Sequence, residues 1–342
     1  MEKFRNLTLD EIGARYKNNQ ILLVQHLMDA GLIQKIPPQC HGVMVLDKSK
    51  PWLWRCPTRC GKRKSVVTEN CFLNKCRKFY DVFKALYMWV LGFPPRFIVR
   101  ESGLSQNTVT ALNNDWREIA ELENRMEPSI GGDKSTVQAD ETFITGTRKD
   151  NKGKRQRKEG ILFHENCNNS KKSLHIGPVL VQTALKITPD ENGKLRAGRL
   201  KAAIIPDRSG CTLQENLINM VEPDTAVQTD CWRGYCGLDG LFSAHATVNH
   251  SREFVSDDGT TTNTLEGVHG VMKRTSSRLN LFVGQPSKLA ALKRKVEELV
   301  FRFNHRDEDS DFFVLFLHLI SVYYPCCSDD DVVGRLELLK IW

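Results

Sequence analysis

Asp140, Asp230 and Glu266 are the residues whose settings could do chemistry. Asp140 lies in the strand-like run Val137-Gln138-Ala139-Asp140-Glu141-Thr142-Phe143-Ile144, and Asp230 ends the run Thr225-Ala226-Val227-Gln228-Thr229-Asp230. Glu266 follows Thr262-Asn263-Thr264-Leu265, where Thr262 or Asn263 can cap a helix. Lys273 comes two turns after Glu266 and projects from the same side. Three carboxylates suit two Mg²⁺ (or Mn²⁺) ions and phosphoryl transfer. Such ions polarise a phosphate oxygen, lower the pKa of an attacking water or 3′-hydroxyl, and stabilise the leaving oxygen. A lone acid at a strand end is usually structural, so the spacing carries this reading.

The elements that must position these acids can be read from patterning. Ala226 and Val227 lead into Asp230 as a short buried strand. Leu265, Val268 and Met272 share one helical face. Val179-Leu180-Val181 and Ala202-Ala203-Ile204-Ile205 read as strands around the hairpin-like turn Thr188 to Gly193, and Cys211 to Met220 as a helix. Leu289, Leu292, Val296, Leu299 and Phe303 mark a late helix whose apolar face is expected to be intramolecular core.

The motif set Asp230-Cys231-Trp232-Arg233-Gly234-Tyr235, Val248-Asn249-His250-Ser251, Thr262-Asn263-Thr264-Leu265-Glu266-Gly267-Val268 and Lys273 closely resembles the Merlin superfamily of eukaryotic cut-and-paste transposases. These are similar to a group of bacterial insertion-sequence transposases. The resemblance covers roughly residues 36 to 306. It implies an α/β, RNase H-like mixed-sheet catalytic domain whose Asp, Asp, Glu triad falls on Asp140, Asp230 and Glu266. The last two are 36 positions apart, which fits the family pattern. Lys273 would hold a DNA phosphate or orient the Glu266 carboxylate. Two positions depart from the pattern: Thr261 stands where the family has His, and His269 where it favours Trp. Asn263 is a rival to Glu266, ranked lower because a neutral amide binds Mg²⁺ more weakly than a carboxylate. His245, His250 and His269 are expected to be structural hydrogen-bonders.

The same resemblance places a zinc ribbon near the N-terminus. Cys56 and Cys60 supply one ligand pair and Cys40 part of the other, with Pro37 where a leading Cys is expected. His41 reads as a poor substitute, because adjacent residues rarely both reach one ion. Two readings stay open: a Zn²⁺ site on Cys40, Cys56 and Cys60, or a degenerate ribbon without metal. Farther on, Phe79 to Val90, the break at Gly92-Phe93-Pro94-Pro95, and a helix capped by Ser105 read as a helix-turn-helix. Gln106, Asn107 and Thr110 would then face base edges. A plain three-helix bundle is the alternative.

The domain expectation is therefore 1–75 for an amphipathic N-terminal helix and ribbon-like segment, 76–125 for the helix-turn-helix, 130–285 for the catalytic domain and 286–342 for a C-terminal helical region. Residues 123–136 look like a linker. The basic stretch Arg148 to Lys172 reads as a loop, lying either along DNA phosphates or in solvent. Ser328 to Asp331 reads as an acidic surface loop.

Composition agrees with a polyanion partner. The 342 residues carry a formal net charge of +8, and Arg55 to Lys78 holds eight basic residues against one acid. Eleven cysteines, odd in number and irregular in spacing, follow no N-terminal signal, so reduced intracellular thiols are expected. Phe312 to Tyr324 is too short to span a bilayer, and no membrane partner is expected. The expected function is metal-dependent cleavage and strand transfer at terminal inverted repeats, with target DNA as second substrate, a homo-oligomer to join two ends, and the nucleus as location. The alternatives are a host-adopted DNA-binding protein without strand transfer and an RNase H-like nuclease.

Overall fold

The computed structural model describes residues 1–33, 35, 40–50, 52–58, 60–66, 79–144, 179–193, 195–248, 263–276, 286–306 and 311–324. The expectations for Pro37, Arg148 to Lys172, His250, Ser251, Thr261, Thr262 and Ser328 to Asp331 lie outside these residues. In chain order the elements are α1 (Leu9–Tyr16), α2 (Gln20–Asp29), β1 (Val45–Leu46), β2 (Leu53–Arg55), β3 (Arg63–Ser65), α3 (Phe79–Val90), α4 (Pro95–Ser102) and α5 (Gln106–Met126). They continue with β4 (Thr136–Phe143), β5 (Leu180–Pro189), β6 (Leu195–Ile204), α6 (Gly210–Met220), β7 (Ala226–Asp230), β8 (Ala244–Val248), α7 (Asn263–Ser276), α8 (Pro286–Asn304) and α9 (Phe312–Tyr323). The chain divides into two compact units, residues 1–122 with 307–342, and residues 123–306.

The first unit is helical apart from the antiparallel sheet β1-β2-β3. Its N-terminal segment is two helices instead of one. Thr8 and Glu11 form a reciprocal capping box for α1. Asn19 then starts α2 by accepting from the Leu22 N–H, and the fresh start buries Leu23 while Ile21 and Leu22 are only half-buried. Aromatic rings fill the core: Phe83 meets Phe313 at 5.4 Å, and Trp89 meets Phe316 at 4.9 Å and Trp116 at 5.6 Å. Thus α9, the most apolar late stretch, is a core helix of this unit. The helix α4 opens on Pro95, whose missing N–H costs nothing there. It ends at Gly103 in the left-handed region (φ 68°), and Ser105 accepts from the Thr108 N–H to start α5.

The second unit is a three-layer sandwich on a mixed five-stranded sheet of order β6-β5-β4-β7-β8. β4, β5 and β6 are antiparallel, whereas β4, β7 and β8 are parallel. Alternation along β4 sends side chains to opposite faces. Val137 and Ala139 join Leu213, Leu217, Val227 and Tyr235 in the core under α6. On the other face Val181, Leu185 and Leu200 pack with Leu265, Val268 and Met272 of α7 and with Leu292, Val296 and Val300 of α8. A bulge on β6, where Leu200 pairs with Leu185 but Ala197 with Ile187, keeps Ala197 and Leu195 on that same face as Leu200. The core stripe of α8 also turns slightly from the expected one: Val300 and Phe301 are buried, and Leu299 and Phe303 are half-buried.

Two boundaries and one strand differ from the patterning. The helix α5 continues to Met126, absorbing the start of the expected linker, and Ile130 in the middle of that segment bridges to Val221. The last segment belongs to both units, because α8 packs on β6 within residues 123–306. The strand β8, with its weakly apolar Ala244-His245-Ala246-Thr247-Val248, gave no strand signal and is held by parallel pairing to β7.

The turn into β4 depends on a glycine. Gly131 has φ +112°, and a Cβ there would lie 2.1 Å from Thr225 Oγ1. That hydroxyl is fixed by the Gly132 N–H at 2.8 Å. Gly131→Ala should therefore destabilise the protein by about 2–4 kcal/mol, read as a lower urea midpoint, while an equal midpoint would mean that the turn relaxes freely.

Candidate active site

The parallel pairing of β4 with β7 aligns Val137 with Val227 and Gln138 with Gln228. Two residues farther along each strand stand Asp140 and Asp230. They are therefore level on neighbouring strands, close enough for the charge on Asp230 to disfavour ionisation of Asp140. Glu266 is carried above them on α7, whose position two contacts define. The Leu265 N–H, an unpaired donor in the first helical turn, reaches the buried Gln138 Oε1 at 3.0 Å. One turn after Glu266, His269 Nδ1 lies 3.7 Å from Asp140 Oδ2. Glu266 sits between these anchor points and is exposed. Lys273, also exposed, is near enough for its charge to disfavour protonation of His269. Asn263 opens the helix, but its side chain is outside those described.

Asp140 is under electrostatic stress. Burial, followed by the neighbouring carboxylates of Glu141 and Asp230, pushes its pKa up to about 7. His269 moves the other way, to about 4, chiefly through burial and then through Lys273. At neutral pH the His269–Asp140 contact is therefore no fixed ion pair. The hydrogen-bond network assigns the imidazole tautomer. Thr183 Oγ1 donates its one proton to the Asp140 carbonyl at 3.0 Å, so at the 2.7 Å contact His269 Nε2–H must be the donor to Thr183 Oγ1. The Nδ1 lone pair then faces the Asp140 carboxylate. The structural role expected of His269 and His245 is met by hydrogen bonds, since His245 Nε2 lies 2.9 Å from Thr229 Oγ1.

Glu141, one residue from Asp140, points to the other face and has a different fate. Its carboxylate is almost fully buried, accepts from the Tyr235 hydroxyl, and accepts from Arg208 Nε at 2.7 Å. Arg208 Nη2 also lies 3.9 Å from Asp230 Oδ2, and its guanidinium stacks 4.4 Å from the Trp232 ring centroid. Trp232 closes the turn with its Nε1–H on the Arg208 carbonyl and its backbone N–H on Asp230 Oδ1, both near 3 Å. Residues Trp232 and Tyr235 of the resembled motif thus fix the loop after Asp230 to the end of β4. Sequence reasoning missed Gln138, Glu141, Thr183 and Arg208. Their roles come from pairing across the sheet, and only the odd polar residue inside the apolar run around Gln138 offered a signal.

In the first unit, Cys40, His41, Cys56 and Cys60 bring their ligand atoms within 4.8 Å of one another. Cys40 Sγ is 3.6 Å from Cys60 Sγ and 3.2 Å from His41 Nδ1. This corrects the dismissal of His41: adjacent residues do converge here. All three thiols are free. The Lys62 N–H, then Cys56, lower the Cys60 thiol to about 7. Gln106, Asn107 and Thr110 are exposed on the first turns of α5, where Thr110 Oγ1 donates to the Gln106 carbonyl at 2.8 Å. Among the described residues no helix is long and apolar enough to cross a membrane.

Residues 131–304, just over half of the chain, match the model of the ISXO2-like transposase domain. The chain belongs to that transposase family. The matched span begins at the Gly131 turn and ends with α8, so it coincides with the mixed-sheet unit that carries all three acids. An uncharacterized transposase-like protein from Haemophilus influenzae is 27% identical over 117 residues, which is 34% of this chain and 90% of the relative. The Mos1 transposase paired-end complex with left transposon end (11% identity, 71% of this chain and 77% of that chain, TM-score 0.25) and the Mos1 strand transfer complex (10%, 71% and 76%, 0.24) are among the solved structures it matches. Those superpositions are too poor to carry an argument.

The transposase domain carries a pH signature. A carboxyl raised from about 3.8 to about 7 stabilises the fold fully below pH 4, and that contribution is lost as pH rises through 7. Asp140→Asn removes the penalty. At pH 8 without divalent metal it should raise stability by a few kcal/mol at most, and the difference should vanish near pH 4. Urea midpoints at the two pH values check this; a variant no more stable than the parent at pH 8 would refute it.

Proposed function

We propose that this transposase cuts and joins DNA strands at terminal inverted repeats, with Asp140, Asp230 and Glu266 as its catalytic acids. The observation that carries the reading is the level placement of Asp140 and Asp230 on adjacent parallel strands under the helix that bears Glu266. The sheet order, three antiparallel strands followed by two parallel ones, supports an RNase H-like catalytic domain. The finer placement in the Merlin superfamily rests on the run Asp230 to Tyr235 and on Asn263 to Val268.

The donor set fits a hard divalent cation. Asp140, crowded by Glu141 and Asp230 and raised in pKa by burial, is a carboxylate that a cation would relieve. Asp140, Asp230 and Glu266 would hold Mg²⁺ or Mn²⁺, which supplies charge stabilisation at the phosphate and acidifies the attacking water or hydroxyl. The protein's own part is positioning. Gln138 fixes the start of α7, the Glu141–Tyr235–Arg208 group fixes the loop after Asp230, and Lys273 offers a cation to a DNA phosphate. The exposed first turns of α5 would read base edges through Gln106, Asn107 and Thr110. Joining two element ends requires at least two copies of the chain.

The soft donors of the ribbon fit Zn²⁺. Zinc bound by Cys40, Cys56, Cys60 and His41 would tie the short sheet β1-β2-β3 together. Purified protein should carry one zinc per chain, and His41→Ala should weaken its retention against a chelator by ~10-fold or more. Equal retention by the variant would remove His41 from the ligand set.

Cleavage of DNA bearing the flanking inverted repeats, with Mg²⁺ or Mn²⁺, tests the main reading. Asp230→Asn and Glu266→Gln should each lower cutting by ~10³-fold or more while repeat binding persists. Tight repeat binding with no cutting by the parent protein would instead favour a DNA-binding protein that has lost strand transfer.

A further inference from the structure

We propose that His269 is a ligand of the catalytic metal, giving this site a nitrogen donor beside its carboxylates. The inference rests on the catalytic reading of Asp140, Asp230 and Glu266 and adds a fourth residue to it.

Three observations converge on the His269 ring. First, it is placed for the task. His269 follows Glu266 by one helical turn, so both project from the same side of α7. A carboxylate and an imidazole at that i, i+3 spacing can serve one metal centre. Second, its Nδ1 lies 3.7 Å from Asp140 Oδ2. Metal bonds of ~2.1 Å let one ion span two ligand atoms up to ~4.2 Å apart, so both atoms are within reach of a single cation. Third, the ring is oriented for ligation. Its Nε2–H is committed to Thr183 Oγ1 at 2.7 Å, and Thr183 in turn holds the Asp140 carbonyl at 3.0 Å. A ligating histidine commonly donates its other ring N–H in this way, which fixes the tautomer and the plane. Here that leaves the Nδ1 lone pair facing a carboxylate oxygen 3.7 Å away, a gap that a cation would bridge.

Burial argues against a merely solvating role. His269 is 4% exposed, and beyond its Thr183 bond nothing in the apolar packing of Leu265, Val268 and Met272 calls for an imidazole there. An aromatic hydrocarbon ring would fill the space without presenting a second acceptor to Asp140. A nitrogen ligand changes metal choice. Imidazole favours Mn²⁺ and later transition ions over Mg²⁺, which prefers oxygen and water. This transposase should accordingly work with Mn²⁺ at lower concentration than its three-carboxylate site alone would give.

The test uses the 342-residue, zinc-replete chain loaded with Mn²⁺. Binding is followed from the EPR signal of free Mn²⁺, and nitrogen ligation from pulsed-EPR modulation by ¹⁴N. The parent should show histidine-type ¹⁴N coupling that becomes ¹⁵N coupling when the protein is labelled with ¹⁵N-histidine. His269→Gln should lose the coupling and bind Mn²⁺ ~10-fold more weakly, with a smaller change for Mg²⁺. Labelling needs no substitution, so the test holds even if the variant folds poorly. Mn²⁺ that Asp230→Asn displaces, but that shows no histidine nitrogen, would overturn the ligand assignment and leave the carboxylate site standing. Coupling that survives His269→Gln would also overturn it. Failure of the parent to bind Mn²⁺ in any way sensitive to Asp230→Asn would overturn both readings.

Discussion

A buried amide holds the mixed-sheet unit together. Gln138 has no solvent exposure, and its Oε1 takes the Leu265 N–H at the start of α7. Its Nε2 meets Gln228 Oε1 on the neighbouring strand at 3.5 Å. One side chain thereby ties β4, β7 and α7, the elements that carry Asp140, Asp230 and Glu266. A helix start buried without a partner would strand a backbone donor, at a cost comparable to a lost hydrogen bond. The acid-bearing helix therefore cannot slide along the sheet without taking the Leu265 N–H from its Gln138 acceptor. An apolar side chain at this position would satisfy the hydrophobic pattern of β4 and lose that registration.

The alternation of the strand explains why consecutive acids behave differently. Asp140 and Glu141 occupy opposite faces of β4. Both are raised in pKa first by burial, but Glu141 has its charge matched by Arg208 and Tyr235. Asp140 meets another carboxylate in Asp230 and a lone pair in His269. A carboxylate already saturated by a guanidinium and a phenol offers little to a metal, so Glu141 belongs to the support of the site. Asp140 is the electrostatically unsatisfied member of the pair. That asymmetry follows from one residue of register, and shifting β4 by a single position would exchange the two roles.

Much of the architecture was legible because strong local signals agreed with tertiary structure. The bounds of α3, the Pro95 start of α4, the Ser105 cap, the hairpin of β5 and β6, and α6 all follow from periodicity and turn chemistry. Motif spacing singled out Asp140, Asp230 and Glu266, and the strand pairing sets the first two level with each other. Where the reading failed, the deciding force was non-local. The strand β8 has weak propensity and exists through pairing with β7. Arg208 is distant in sequence from the acids it touches. His41 was set aside by a rule about adjacent ligands, but the chain between Cys40 and Gly42 turns on itself, with the Cys40 N–H bonded to the Gly42 carbonyl at 3.1 Å. That bend brings two neighbouring side chains to one point.

Two of the donor sets among the described residues differ in chemistry. Cys40, Cys56, Cys60 and His41 offer soft sulfur and nitrogen atoms, a set that thiolates make selective for zinc over magnesium. Asp140, Asp230 and Glu266 offer oxygen alone, which hard cations prefer. The thiolates belong to residues 1–122 with 307–342 and the carboxylates to residues 123–306. His269 would shift that balance only partway, since an imidazole among carboxylates widens the choice toward manganese without creating a thiolate site. The metal that each set would take follows from which atoms the fold brings together, whereas free-ion affinities alone would favour zinc over magnesium or manganese at either.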